Sequence, residues 1–386
     1  MWRPLFPVGE VVATDDLVGR DDVIGNIVRT LSVGRNVLIV APRRMGKTSV
    51  VHEALLRLSR EGHLTALVDV AECAVETFAE RLINAVLANE SRGPRTLKDL
   101  VQMLRSASLS VKLPLLGAGS ESIEFAVNFL GLREGGRPDI GTALDFAEEY
   151  ARRAGKQLVL ALDEFQAAHR FSRRGVDVLS AMRAHMIWQR SVRYIFLGSQ
   201  AGMLESIFNR ESQPFFRLAA PVDLPPIPPA AWHEYIIRKF ATRQINAAEI
   251  AAPLVELTGA HPLDTMILAS NLLVLAEEAG LRLLLPSALQ EAYHMSMQEF
   301  RNLFLGQWSD RSVVEQAVLR AIGRGRAGYG QQWHPNEVRG ALRRLTDDGV
   351  IRKAGRGQYH FVEAFFAQWV RTTQLDPFLD DERSGG

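Results

Sequence analysis

The stretch "APRRMGKTSV" (41–50) sets Gly46, Lys47 and Thr48 after four residues that follow Ala41. A glycine lets backbone amides come close to an anion, an ammonium supplies a compact charge, and a hydroxyl next to it can bind Mg2+. The spacing x4-G-K-T is that of a phosphate loop, with Ala41 where the usual pattern has glycine. A second stretch, "LVLALDEF" (158–165), ends an apolar run in two acids, Asp163 and Glu164. Phosphoryl transfer to water needs a carboxylate at the metal and a base that polarises the water. The spacing therefore points to Thr48 and Asp163 at Mg2+, Lys47 on the outer phosphates and Glu164 as the base.

Lys47 is distinctive for a second reason. The chain has 45 basic residues, of which the lysines are Lys47, Lys98, Lys112, Lys156, Lys239 and Lys353, so Lys47 stands alone in the first 97 positions. A planar guanidinium does not replace a compact ammonium inside a narrow loop. Arg43 and Arg44, inside the same loop, read first as surface charge, with anion contact as the alternative. "FLGSQ" (196–200) puts Ser199 or Gln200 at another strand end, either to sense the outermost phosphate or to cap the strand.

These residues need elements that hold them. "NVLIV" (36–40) predicts a strand leading into the loop, and the 47–60 pattern a helix leaving it, which is the setting the motif requires. Further strands are predicted at 64–70, 158–163 and 193–199, and helices at 20–33, 75–90, 140–154 and 174–189. Near-continuous apolar runs mark strands covered on both faces of a mostly parallel sheet. "SLSVKLPLLGAGSESIEFAVNF" (108–129) reads as an inserted hairpin. The proline cluster "PVDLPPIPP" (221–229) ends this pattern, and helical periodicity follows to about Leu305. From Arg311 the order is helix, glycine-rich stretch, helix, then two short strands about a Gly turn, the outline of a winged helix-turn-helix.

The bulk numbers bound the rest. At 386 residues, with 47% hydrophobic and 23% charged residues, the chain has the profile of a globular protein of two or three domains. A net charge of +1 gives no whole-molecule attraction to nucleic acid or anionic membrane. The single cysteine, Cys73, excludes an intramolecular disulfide and suits a reducing compartment. The start lacks a secretory pattern, and the longest apolar run, "ILASNLLVLA", falls short of a membrane span. The expectation is a cytoplasmic protein without a membrane partner.

Taken together, "LVGRDDVIGNI", "APRRMGKTSV", "LVLALDEF", "FLGSQ", "PFFRLAAPVDLPPI", "TGAHPLD" and "LRRLTDDGVIRKAGRGQYHFVEAFFAQWV" resemble archaeal-type and MNS-like ATPases of the STAND and AAA+ P-loop superfamily, relatives of origin-recognition ATPases. The resemblance spans nearly the whole chain in matching order. It implies a RecA-like α/β core with a P-loop at 1–225, a helical lid at 226–308, a winged helix at 309–372 and a disordered tail at 373–386. It further implies an ATP-binding and ATP-hydrolysing switch, with ATP and Mg2+ as cofactors. Pro42, Arg43, Arg44, Met45, Gly46, Lys47, Thr48 and Ser49 would cradle the phosphates, with Gly19 and Arg20 near base and ribose. His261 and Pro262 would pack over adenine, and Arg217 would touch the phosphate of its own or a neighbouring subunit of a homo-oligomer. Two positions depart from the family pattern: Gly259-Ala260 replaces a Gly-Gly pair, and Leu263-Asp264 replaces aromatic residues.

Residues 311–371 hold 11 basic against 5 acidic residues, so the net charge there is 11 − 5 = +6. Asn336, Arg339, Arg343 and Arg344 fall on the polar side of the expected recognition helix, with Arg352, Lys353 and Arg356 in the wing. Local basicity of this kind engages duplex DNA. Winged helices of the STAND group instead serve protein contacts or autoinhibition, so the partner is either double-stranded DNA or a protein.

Overall fold

Strand β1 (Asn36–Val40) and strand β5 (Leu158–Asp163) form where the apolar runs lie, β5 with all six residues buried. The structure, a computed structural model, describes residues 4–89, 112–114, 124–126, 139–171, 177–325, 333–355 and 357–374. Two compact units are present: Asp21–Val40 with Lys47–Asp223, and Met1–Arg20 with Ala41–Gly46 and Leu224–Gly386.

The first unit is built on a parallel sheet. Its other strands are β2 (Leu64–Asp69), β6 (Val192–Gly198) and β7 (Ala219–Pro221), and the spatial order is β2-β5-β6-β1-β7. Strand β6 thus lies between the strand that enters the phosphate loop and the strand that ends in the acids. Helices α1 (Asp21–Ser32), α2 (Lys47–Arg60), α3 (Val75–Leu87), α4 (Ile140–Ala154), α5 (Val178–Met186) and α6 (Ala201–Phe208) accompany it. In α1, Val23, Ile24, Ile27 and Leu31 are buried, one apolar stripe at helical spacing. Helix α4 starts at Asp139, whose side chain accepts from Thr142 N at 2.7 Å, and stops at Gly155 with φ 64°.

Several boundaries moved. The strand expected at 193–199 ends at Gly198, so Ser199 lies just past it, and the helix expected at 174–189 covers Val178–Met186. The short β7 sits at the edge of the sheet, where Pro221 removes no ladder donor that matters. A 3-10 turn, Phe165–Phe171, follows the acid pair directly. Strands β3 (Lys112–Pro114) and β4 (Glu124–Ala126) pair antiparallel inside the expected hairpin; the remainder of 108–129 lies outside the described residues.

The second unit is helical: α7 (Pro229–Ala241), α8 (Ala248–Leu257), α9 (Pro262–Glu278), α10 (Pro286–Glu299), α11 (Arg301–Ser309), α12 (Val313–Gly323), α13 (Pro335–Asp347) and α14 (Ala364–Trp369). Four of them open on a proline at the first turn, where its missing N–H costs nothing. Strands β8 (Ile351–Gly355) and β9 (Gln358–Phe361) pair antiparallel between α13 and α14. One hydrophobic cluster runs from Phe6 and Trp232 through Phe304 and Trp308 to Phe365 and Trp369, so the segments expected as lid and winged helix share a core. Arg356, most of the glycine-rich stretch after α12 and the tail from 375 lie outside the described residues. Among the described residues, no helix is long and apolar enough to cross a membrane.

Candidate active site

Within the sheet unit, the parallel register pairs Asp69 of β2 with Asp163 of β5, so two carboxylates stand side by side at the C-terminal ends of neighbouring strands. Thr48, in the first turn of α2, donates from Oγ1 to Asp163 Oδ2 at 2.7 Å. The other oxygen, Oδ1, accepts from Glu164 N at 2.8 Å. Burial pushes the Asp69 carboxyl up, and Asp163 beside it pushes the same way, although a hydrogen bond from Ala71 N opposes them.

Glu164 is held from both sides. Phe165, fully buried, packs in an aromatic group with Phe196, Phe208 and Phe215 at ring-centroid distances of 4.8, 5.9 and 5.3 Å. Between that anchor and Asp163, Glu164 takes φ 48°, a left-handed conformation that L-residues adopt at a cost. Its Oε2 accepts from Ser199 Oγ at 2.8 Å, from Ser199 N at 3.3 Å and from Gln166 Nε2. Burial alone would raise this carboxyl, but the Ser199 and Gln166 hydrogen bonds and the Lys47 charge outweigh it and hold it below the usual glutamate value. Lys47 and Ser49 are buried at the start of α2. Gln200, the other sensor candidate, precedes α6 without a side-chain cap bond. Arg217, exposed, has φ 56° and stacks its guanidinium 5.0 Å from the Phe216 ring centre.

The helical unit holds the residues expected around the base and the loop crown. Arg20 is buried and donates to the carbonyls of Pro225 at 2.5 Å and Met45 at 3.3 Å. Desolvation lowers its pKa to about 10, which leaves it cationic at neutral pH. Gly19, at φ 60°, lies where a Cβ would sit 3.3–3.4 Å from Ile227, Ala231 and Pro228, so it admits the start of α7. His261 caps α9, its Nδ1 accepting from Asp264 N at 3.4 Å; it is buried, and Nε2 has no hydrogen-bond partner among the described residues. Pro262 opens α9. Ala260, at the family's second glycine position, adopts φ 56°. Among the described residues the non-glycine positive φ values fall on Arg44, Glu164, Arg217, Gln244 and Ala260, four of which the sequence singles out. Backbone strain concentrates at functional sites.

The two arginines of the loop crown differ in their surroundings. Arg43 is exposed, whereas Arg44, at φ 66°, donates to both oxygens of Glu363 at 3.1 and 3.0 Å. Gly349, at φ 71° in the turn after α13, comes so close that a Cβ there would sit 3.2 Å from Pro42 Cβ. The crown is thus tied to the C-terminal segment of its own unit. Burial raises the Glu363 carboxyl and Asp264 adds to this, while Arg44 and His261 oppose it. A raised carboxyl favours folding most below the unfolded value of 4.5, and that contribution is lost as pH rises through the folded value. Two outcomes are expected in chemical denaturation. Arg44→Ala, which strands the carboxylate, costs about 1–2 kcal/mol at pH 7. Glu363→Gln costs less, and its stability relative to wild type improves from pH 4.5 to pH 7.

The donor set suits a magnesium nucleotide. Thr48 and Asp163 offer hard oxygen ligands side by side, and among the described residues no group of three or more His, Cys, Asp or Glu forms a protein cage. Mg2+ is usually held by one or two side chains together with water and phosphate. Gly46, at φ 82°, would meet nothing within 4 Å with a Cβ, so the loop backbone there borders open space. Of the basic residues expected at a duplex, Arg339, Arg343, Arg344, Arg352 and Lys353 are exposed. Arg343 pairs with Asp347 at 3.6 Å and Arg344 with Glu315 at 2.6 Å. Sequence reasoning missed Asp69, Gln166 and Glu363; the DEFQ run and the acid after β9 were visible but carried no spacing rule.

No family model matches the chain, and no curated protein does. Among solved structures, the Walker-type ATPase PABY2304 of Pyrococcus abyssi superposes with a TM-score of 0.67 at 18% identity, covering 95% of this chain and 99% of that one. The Aeropyrum pernix ORC2 protein in its ADPNP-ADP complexes gives 0.57 at 13% identity, covering 96% of each chain, and its ADP form gives 0.54 at 12% identity, covering 93% of each. The chain therefore has the fold of archaeal origin-recognition and Walker-type ATPases, an α/β P-loop core with a five-stranded parallel sheet.

Proposed function

We propose that the protein binds ATP with Mg2+ and hydrolyses it, acting as a switch of the STAND and AAA+ type. The observation that carries this reading is the Thr48–Asp163 hydrogen bond beside a base, Glu164, whose backbone and one carboxylate oxygen are both fixed. Residues 43–46 cradle the phosphates with their amides, Pro42 shaping the entry of the loop without an N–H of its own; Lys47 neutralises the outer phosphates, and Ser49 supports the helix start. Thr48 and Asp163 hold Mg2+, which when bound offsets charge on the phosphates. Glu164 takes a proton from water as its oxygen attacks the outermost phosphorus; the bond to the bridging oxygen breaks, and ADP and phosphate leave. Ser199 or Gln200, just past β6, senses the outermost phosphate; the Ser199 hydroxyl already donates to Glu164. Gly19 and Arg20 serve the base and ribose side, Arg20 through its hold on Met45, while His261 and Pro262 cover adenine. Arg217 reaches a phosphate of its own or a neighbouring subunit in a homo-oligomer. The proposed organisation is a core at 1–225, a lid at 226–308, a winged helix at 309–372 and a tail from 373, in a cytoplasmic location suited to a single cysteine.

Binding is tested by thermal unfolding. At ATP 100 times its dissociation constant the native state should gain about 2.7 kcal/mol. The gain should shrink when EDTA replaces Mg2+. An unchanged transition with ATP and Mg2+ would contradict the reading.

A second reading, an ATP-dependent duplex-binding initiator or loader, is favoured by the exposed basic side chains on α13 and β8. Charge reversal of Arg339, Arg352 and Lys353 should weaken duplex binding and flatten its salt dependence by about one unit of slope for each phosphate that these side chains neutralise. Arg344, already bonded to Glu315, should matter less. Absence of any duplex binding at low salt leaves a protein partner for this module.

A further inference from the structure

Gln166 stands two residues after the base and is 6% exposed, in the 3-10 turn that Phe165 anchors. Its Nε2 donates to Glu164 Oε2 and approaches Ser199 Oγ at 3.5 Å. An ionised carboxylate only accepts, so the amide nitrogen is the end that faces it. The amide oxygen of Gln166 is buried and has no hydrogen-bond partner among the described residues. It lies where a Cβ on Gly198 would approach to 2.1 Å, so the last residue of β6 makes room for it. A side chain present only to fill this space would be apolar, because an unpaired buried amide oxygen carries a desolvation cost.

All three donors, Ser199 N, Ser199 Oγ and Gln166 Nε2, converge on the same oxygen of Glu164. Oε1 receives none of these bonds. One oxygen is therefore anchored and the other is left to take a proton.

We propose that Gln166 is a positioning residue for hydrolysis: with Ser199 it fixes Oε2 of Glu164 and so presents Oε1 to the attacking water. This rests on the reading of Glu164 as the base. In this role Gln166 acts through Glu164, to which its Nε2 donates, so its loss affects the chemical step and spares nucleotide binding.

The test compares steady-state ATP hydrolysis and equilibrium ATP binding in the full chain for wild type, Gln166→Met, Gln166→Glu and Glu164→Gln. Gln166→Met keeps the volume and removes the donor. It should lower kcat about 10-fold, the value of one hydrogen bond to a charged group, with KM and ATP affinity within about 2-fold of wild type. Gln166→Glu, which sets a second carboxylate against the base, should lower kcat at least as far, and supplies the same comparison if the methionine variant fails to fold. Adding Gln166→Met to Glu164→Gln should cost little more, since both act on one step. An active wild type with Gln166 variants of unchanged or higher kcat overturns the positioning role alone, as does a loss shared equally with ATP affinity. A wild type that binds ATP and turns over no faster than Glu164→Gln overturns the hydrolase reading and this role with it.

Discussion

Lys47→Ala is expected to lower ATP turnover about 1,000-fold and to weaken ATP binding about 100-fold, with folding intact. Removing one donor aimed at developing charge costs about 100- to 1,000-fold in rate, and Lys47 brings a full charge as well. The residue is buried at the first position of α2, where the helix N-terminus already favours an anion. Its charge also helps keep Glu164 ionised. An alanine there keeps the helix, since alanine is the best helix former, so the loss is in the site. Lys47→Arg should not rescue it, because a planar guanidinium is too bulky for a narrow phosphate loop. Isothermal titration with ATP and Mg2+ and a phosphate-release assay check the two effects; near-wild-type affinity in Lys47→Ala would contradict the assignment of the loop.

Glu164→Gln has the second large effect and a different signature. General-base catalysis contributes about 100- to 10,000-fold, so turnover should drop by about that factor while ATP still binds. The substitution is nearly isosteric, and the fold around it is set by other residues: Phe165 in the aromatic group and Asp163 in its bond to Thr48. Glutamine can still present an oxygen to Ser199, so the side chain should stay in place. The variant should therefore accumulate as an ATP-bound form. Retained ATP after rapid desalting, with little ADP, is the expected observation. Full activity would remove Glu164 as the base.

How far the residues alone reveal this arrangement depends on the range of the interaction. Strands β1 and β5 match their expected bounds because their apolarity is continuous and their ends are marked by the loop and the acids. The hydrogen bond between Thr48 and Asp163 spans 115 positions, yet it follows from the phosphate-loop pattern together with an acid at a strand end. Strand β7 escapes reading: three residues ending in proline carry no periodicity, and only the vacant edge beside β1 makes them a strand. The positive φ of Glu164 has no local signature either: it falls between Phe165, packed in the aromatic group, and Asp163, bonded to Thr48, contacts that lie far along the chain. Gln166 looks like any surface amide until Gly198 is seen to leave room for it.

Arg44 shows the same limit at longer range. As a sequence element it is an arginine in a loop; its partner Glu363 lies 319 positions later. The bond ties the crown of the phosphate loop to the segment between β9 and α14, and Gly349 against Pro42 ties it to the turn after α13. The Arg44→Ala and Glu363→Gln measurements bear on the Arg44–Glu363 contact directly.

The most direct measurement of the central claim is phosphate release from ATP by the purified chain in Mg2+ buffer, with Glu164→Gln and Lys47→Ala run beside it and each repeated with duplex DNA. The account predicts release by wild type that stops on removal of Mg2+ and falls at least ~100-fold in both variants. Release by the variants at the wild-type rate, or none by wild type under any of these conditions, would contradict it.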